Sequence, residues 1–132
     1  MNKEEKIKYW LKSADYDWVT ATHLFEKGDY PYALFFGHLT IEKIMKAIFV
    51  NRFDETPPLT HRLNYIAEKV GLELSAEIIE TLEIITDFNL EARYPDEKFS
   101  FYRKCDKMFT QENLKQIEEI KKWLRAQILF SE

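Results

Sequence analysis

Apolar residues recur at steps of three and four along almost the whole chain, and that period leaves little room for anything but helices. In the first segment Ile7, Trp10, Leu11, Ala14, Trp18, Ala21, Leu24 and Phe25 fall on one stripe, because residues advance by about 100° each around a helix. No segment alternates convincingly with period two, the mark of a half-buried strand. Val, a strong strand former, occurs only three times. Three Gly and four Pro are too few for a turn-rich sandwich or barrel. A chain of 132 residues reads as one domain, 1–132. It should bury roughly two-thirds of its unfolded surface, enough for one core. The expectation is an all-α, up-and-down bundle of four long helices and one short one.

Local signals place the breaks. Asn2 and Glu5 have the spacing of a capping box, and Gly28 can take the left-handed backbone that closes a last turn, so helix one should cover residues 3–27. Asp29-Tyr30-Pro31 reads as a restart, with Asp29 in the cap role and Pro where its missing N–H costs nothing. Helix two runs to Phe53 and is apolar over more of its circumference than helix one, which marks it as the central helix. Gly37 within it should permit close packing. Pro57 and Pro58 force extended backbone. A short helix then carries Leu63, Ile66, Ala67 and Val70 up to Gly71, with Thr60 as its cap. Ser75 caps helix four, whose stripe is Ile78, Leu82, Ile85, Phe88 and Ala92, and Pro95 ends it. Residues 96–109 read as a loop with room for one helical turn, and Thr110 caps the last helix.

Composition narrows the function classes. A net charge of −4 lacks the basic surplus of proteins that coat nucleic acid, so RNA ranks below a mononucleotide or a protein as partner. The uncharged apolar stretches fall far short of the roughly 18 residues of a membrane span. Met1-Asn2-Lys3-Glu4-Glu5 has no apolar region of a signal peptide, and the expectation is a cytoplasmic protein. Cys105 is the single cysteine, which forbids an internal disulfide or a Cys-cluster zinc site. Glycine-rich phosphate loops, His-Glu-x-x-His and Gly-x-Ser-x-Gly are all missing, so no metal, cofactor or catalytic residue is assigned. Aromatic residues reach 15%, with ten Phe, seven Tyr and three Trp. Rings favour protein interfaces, and Trp10, Tyr94 or Phe99 would serve a dimer.

Two polar groupings lie close to apolar stripes. His38, Glu42 and Lys46 step by four along one face of helix two, and Asp17 sits at the edge of the buried stripe of helix one. One reading is structural: Asp17 pairs with Lys43 or Lys46, and Glu42–Lys46 is a surface pair of about 0.2–0.5 kcal/mol. The other is a polar cleft offering His38 and Lys46 to an anion. The second grouping is Ala92-Arg93-Tyr94-Pro95. Arg suits a helix C-terminus, and it also binds phosphate or carboxylate through two parallel N–H groups. Tyr94 could stack or donate beside it.

Trp10 and Ala14, Gly28-Asp29-Tyr30 with Ala33, His38-x-x-x-Glu42-Lys43-x-x-Lys46-Ala47, Pro57-Pro58-x-Thr60-His61-x-Leu63 and Ala92-Arg93-Tyr94-Pro95 follow one another in order. Together they resemble the HEPN domain (higher eukaryotes and prokaryotes nucleotide-binding), over residues 8–96. The resemblance implies a helical bundle, commonly a homodimer. It also implies association with nucleotides, RNA or a small nucleotidyltransferase encoded beside it, often as a toxin–antitoxin pair. Many members are ribonucleases with four to six residues between an Arg and a His. Here the corresponding positions hold Lys98, Phe99 and Ser100, so the resemblance is to a non-catalytic branch. Arg93 and Tyr94 lead the candidate ligand contacts, followed by Lys46, His38, Glu42 and Asp17. Thr60 and His61 match the loop signature but read as a helix-start device. The expected function is a binding module for a nucleotide or a nucleotidyltransferase partner. The alternatives are a metal-independent RNase toxin with a departed motif and a purely structural interaction protein.

Overall fold

The structure, a computed structural model, describes residues 1–128. Its elements are α1 (Lys3–Glu26), α2 (Tyr30–Phe53), α3 (Leu63–Val70), α4 (Ala76–Arg93), α5 (Ser100–Lys104) and α6 (Lys107–Gln127). There are six helices among the described residues, rather than five, and no strand.

Helix α2 is the axis of the bundle. Leu34, Ile41, Ile44, Met45 and Ile48 are wholly buried on it, as are Leu63, Ile66, Leu82, Ile117 and Leu124 on its neighbours. Every other helix packs against α2, which is why that segment is apolar on more than one face. The close approach anticipated at Gly37 is made by α6: a Cβ there would lie 2.8 Å from Ile117 Cδ1.

Several capping signals hold. Asn2 and Glu5 form the reciprocal capping box, Ser75 accepts the Ile78 N–H, and Gly71 closes α3 at φ +86°. Others are corrected. Asp29 offers no side-chain cap; its carbonyl accepts the Ala33 N–H at 3.0 Å. Thr60 Oγ1 accepts the Arg62 N–H at 3.2 Å, while the first N–H of α3, on Leu63, goes to Thr86 Oγ1 of α4 at 3.1 Å. Helix α6 starts before Thr110, because the Asp106 carboxylate accepts the Phe109 N–H at 2.8 Å and caps a turn earlier. Thr110 is then buried inside that turn. The one helical turn for which the loop had room is present as α5, entered through Phe99 at φ +51°. Phe101 of this turn packs on Phe88 with ring centroids 5.7 Å apart.

Packing at Gly37 yields the first test. Gly37→Ala adds helix propensity of about 1 kcal/mol against the displacement of one flexible Ile117 terminus, so its urea midpoint should stay near wild type. Gly37→Val cannot be accommodated by that movement and should cost about 1–3 kcal/mol. A wild-type midpoint for Gly37→Val would show that α2 and α6 are not held this closely.

Candidate functional site

His38, Glu42 and Lys46 occupy successive turns of α2, and all three are buried, Glu42 at 3% exposure and Lys46 at 6%. The surface pair expected from their spacing is therefore an interior one. Lys46 Nζ donates to Glu42 Oε2 at 2.8 Å and lies 5.5 Å from the Trp10 ring centroid. Burying two charges costs several kcal/mol each unless they are paired and otherwise satisfied. Glu42 meets that demand through its second oxygen, which accepts from His61 Nδ1 at 2.8 Å.

His61 comes from the connection between α2 and α3, and the sequence reading of it as a helix-start device is corrected. The residue before α3 is Arg62, which makes no side-chain cap. The ring reaches instead to Glu42, and the His61 carbonyl accepts from His38 Nε2 at 2.8 Å. A carbonyl only accepts, so His38 Nε2 carries the proton. Burial pushes the His38 pKa below its ordinary value, outweighing the His61 carbonyl and the Glu42 charge, which raise it. The ring is thus neutral, and its Nδ1 is a buried acceptor without a protein partner among the described residues.

Arg93 closes the last turn of α4. Its Nε donates to the Asn89 carbonyl at 3.0 Å and its Nη2 to Asn89 Oδ1 at 2.6 Å. The guanidinium carbon lies 5.2 Å from the ring centroids of both Phe35 and Tyr94. Nη1 has no protein partner among the described residues. Phe35 is one turn before His38 on α2, and the Arg93 charge also lowers the His38 pKa. Below this corner, Tyr102 Oη donates to the Ala92 carbonyl. The Asp96 carboxylate accepts the Ser100 N–H at 2.8 Å, a bond that holds its pKa below the ordinary value.

Arg93, Tyr94, His38, Glu42 and Lys46 thus gather along one side of α2. Asp17 stands apart, 2.8 Å from Lys43 Nζ; Lys43 also donates to Ser13 at 2.8 Å, tying α1 to α2. Trp10 is half-buried under Lys46 rather than free, whereas Tyr94 and Phe99 are exposed. Cys105 is buried, and burial pushes its thiol up to about 12, too high for a thiolate nucleophile. No cluster suited to a metal ion exists among the described residues, and no helix among them is long and apolar enough to cross a membrane. A groove of about 420 Å³ between α1 and α6, lined by Trp18, Phe25 and Leu114 among others, lies away from these residues.

Residues 7–127 match the family model of the HEPN domain. The chain belongs to the HEPN domain family. Among solved structures, the crystal structure of TT1696 from Thermus thermophilus is similar over 97% of this chain and 100% of that one. Its TM-score is 0.80 at 16% identity, which speaks for the fold. No curated protein matches the sequence. Within this HEPN domain, sequence reasoning missed three contributors. Asn89 stands four residues before Arg93, a spacing that could have flagged it. Phe35 is one apolar residue among many on α2, and nothing along the chain links His61 to Glu42.

Removing one partner of the buried pair should be severe: Glu42→Leu strands Lys46 and should cost about 3–5 kcal/mol, most of it recovered in Glu42→Leu/Lys46→Met. Urea unfolding of both variants measures this, and a mild single-variant effect would contradict the burial. A second expectation concerns pH. The unfolded chain takes up a proton at His38 near the ordinary value of 6.5, but the folded chain resists it. The His38 contribution is present above that pH and lost as pH falls toward the lowered folded value. The urea midpoint of wild type should therefore drop between pH 7.5 and pH 5, and less so in His38→Gln; equal slopes would remove His38 as the cause.

Proposed function

We propose that this HEPN domain is a binding module that takes a nucleotide through Arg93 and does not cleave RNA appreciably. The observation that carries the reading is the Arg93 guanidinium, held by Asn89 and flanked by two rings, with Nη1 unpaired among the described residues. Its charge is permanent and its planar donors match a phosphate. Tyr94, 68% exposed, offers a face on which a base can stack, as aromatic side chains do for bases generally. The net charge of −4 favours a mononucleotide or a protein over long nucleic acid. The wider proposal is a cytoplasmic homodimer with a small nucleotidyltransferase as partner, in a toxin–antitoxin pair. Exposed Tyr94 and Phe99 supply interface rings.

Cleavage without a metal needs a proton-transferring group near neutral pH, usually His. Positions 98–100 carry none, and His38 is wholly buried. The Glu42–His61 hydrogen bond is what favours the second reading, a metal-independent ribonuclease, because a carboxylate orients an imidazole for proton transfer.

Titration with AMP should show binding that Arg93→Ala weakens by about 1–3 kcal/mol. The same change removes the partner of the buried Asn89 side chain and should lower folding stability by about 1–3 kcal/mol without unfolding the chain. Purified protein with RNA in a chelating buffer should leave the RNA intact. Cleavage that disappears in Arg93→Ala would establish the ribonuclease instead, and an unfolded Arg93→Ala would make that residue structural.

A further inference from the structure

Nδ1 of His61 donates to Glu42 Oε1 at 2.8 Å, because a carboxylate only accepts. In the neutral ring that leaves the Nε2 lone pair free, on a side chain 53% exposed. The backbone around the ring is pinned as well. The His61 carbonyl accepts from His38 Nε2 at 2.8 Å, Thr60 Oγ1 accepts the Arg62 N–H at 3.2 Å, and the Leu63 N–H goes to Thr86 Oγ1 at 3.1 Å. A carboxylate on one imidazole nitrogen fixes the tautomer and raises the basicity of the other nitrogen. An imidazole ordered in this way, with its lone pair toward solvent, is a nucleophile.

The surroundings favour an electrophile that carries negative charge. Glu42 is balanced by Lys46 Nζ at 2.8 Å, so the carboxylate orients the ring without repelling an anion. Residues 56–67 contain no Asp or Glu. Arg62, next along the chain, is exposed and in no ion pair among the described residues. His23 gives the contrast within the same chain: it is exposed too, but no carboxylate binds its ring among the described residues. His38 is wholly buried, out of reach of a reagent in solvent.

We infer that His61 Nε2 is a phosphoryl-acceptor site, modified by a donor of the phosphoramidate class, in which phosphorus is bonded to a protonated nitrogen. The Nε2 lone pair attacks phosphorus and a new N–P bond forms. The old N–P bond breaks, and its electron pair leaves with the neutral amine. That leaving group asks for no proton donor, which suits a ring whose own proton is committed to Glu42. Nδ1 keeps that proton throughout, so the phosphorylated ring is cationic. Glu42 faces the new charge across the Nδ1–H bond, where a fixed carboxylate stabilises it. His61 is thus the residue that touches the reacting atom, and Glu42 is a positioning residue. The inference does not rest on nucleotide binding at Arg93.

The test incubates wild type, His61→Asn, His23→Gln and Glu42→Gln with potassium phosphoramidate at neutral pH. Intact-mass spectrometry follows the gain of phosphoryl groups, peptide mapping locates them, and phosphorus NMR separates the Nδ1 from the Nε2 isomer. Wild type should react at His61 roughly tenfold faster than at His23, the lower end of what a carboxylate partner is worth to an imidazole, and only at Nε2. His61→Asn, whose amide can still donate to Glu42, should lose the fast reaction, and His23→Gln should keep it. An amide can either accept from Nδ1 or donate to it. Glu42→Gln should therefore loosen the tautomer seen by ring-nitrogen NMR and bring the His61 rate down toward that of His23. A fast reaction unchanged in Glu42→Gln would remove Glu42 from the assignment. Equal rates at His61 and His23, or a phosphoryl group on His61 Nδ1, would overturn it altogether. Both are read on wild type, so they decide the matter even if Glu42→Gln does not fold.

Discussion

The Glu42–Lys46 pair sits inside the protein on the one helix that every other helix packs against. Two buried charges at 2.8 Å are stable only when the remaining lone pairs and protons find partners. That requirement reaches outward through the structure. It draws His61 from the connection after Pro57-Pro58 onto Glu42 Oε1, and through the His61 carbonyl it holds the His38 ring in one tautomer. Trp10 of α1 covers the ammonium from another side. Three chain segments are thereby registered around one ion pair. Apolar packing alone specifies such registration less sharply, because apolar contacts tolerate sliding and repacking.

The corner at Arg93 is built on different physics. A helix ends there because Pro95 follows, and the arginine turns back along α4 to Asn89 instead of extending into solvent. Two rings hold the guanidinium plane at 5.2 Å each. Below it, the short α5 is clamped by Phe101 on Phe88 and by the Tyr102 hydroxyl on the Ala92 carbonyl. An arginine pre-ordered in this way loses less rotamer freedom on meeting an anion than a free surface side chain would. Membership of the HEPN family and the fold shared with TT1696 supply the scaffold. The proposed site is built from this chain's own residues at the α2–α4 corner.

Much of the fold was legible along the chain. The three-and-four period of Ile7, Trp10, Ala14 and Trp18 and of Leu114, Ile117, Ile120 and Leu124 marks helices whose faces are buried as read. Asn2, Ser75 and Gly71 close helix ends because cap chemistry is local. The misplaced boundaries fall where two local signals compete. Asp106 and Thr110 are both able caps, and residues 98–104, charged and aromatic by turns, give a period long enough to allow one helical turn but not to place it. The site was legible in part: Arg93 and Tyr94 stand out as a motif, and His38, Glu42 and Lys46 as a row.

What the sequence by itself determined is therefore the helical class, the central place of α2, the caps set by neighbouring residues and the set of polar residues near apolar stripes. Each follows from interactions within about one turn of helix, where spacing along the chain is spacing in space. Tertiary structure alone decided that Glu42–Lys46 is an interior pair, that Asp17 goes to Lys43, and that His61 completes the row on α2. Those outcomes depend on which segments the bundle brings together across gaps of 19 to 26 residues: Glu42 to His61 and Asp17 to Lys43. The two prolines between Glu42 and His61 set only the direction of the chain. It is the cost of an unsatisfied buried charge that brings the ring to the carboxylate.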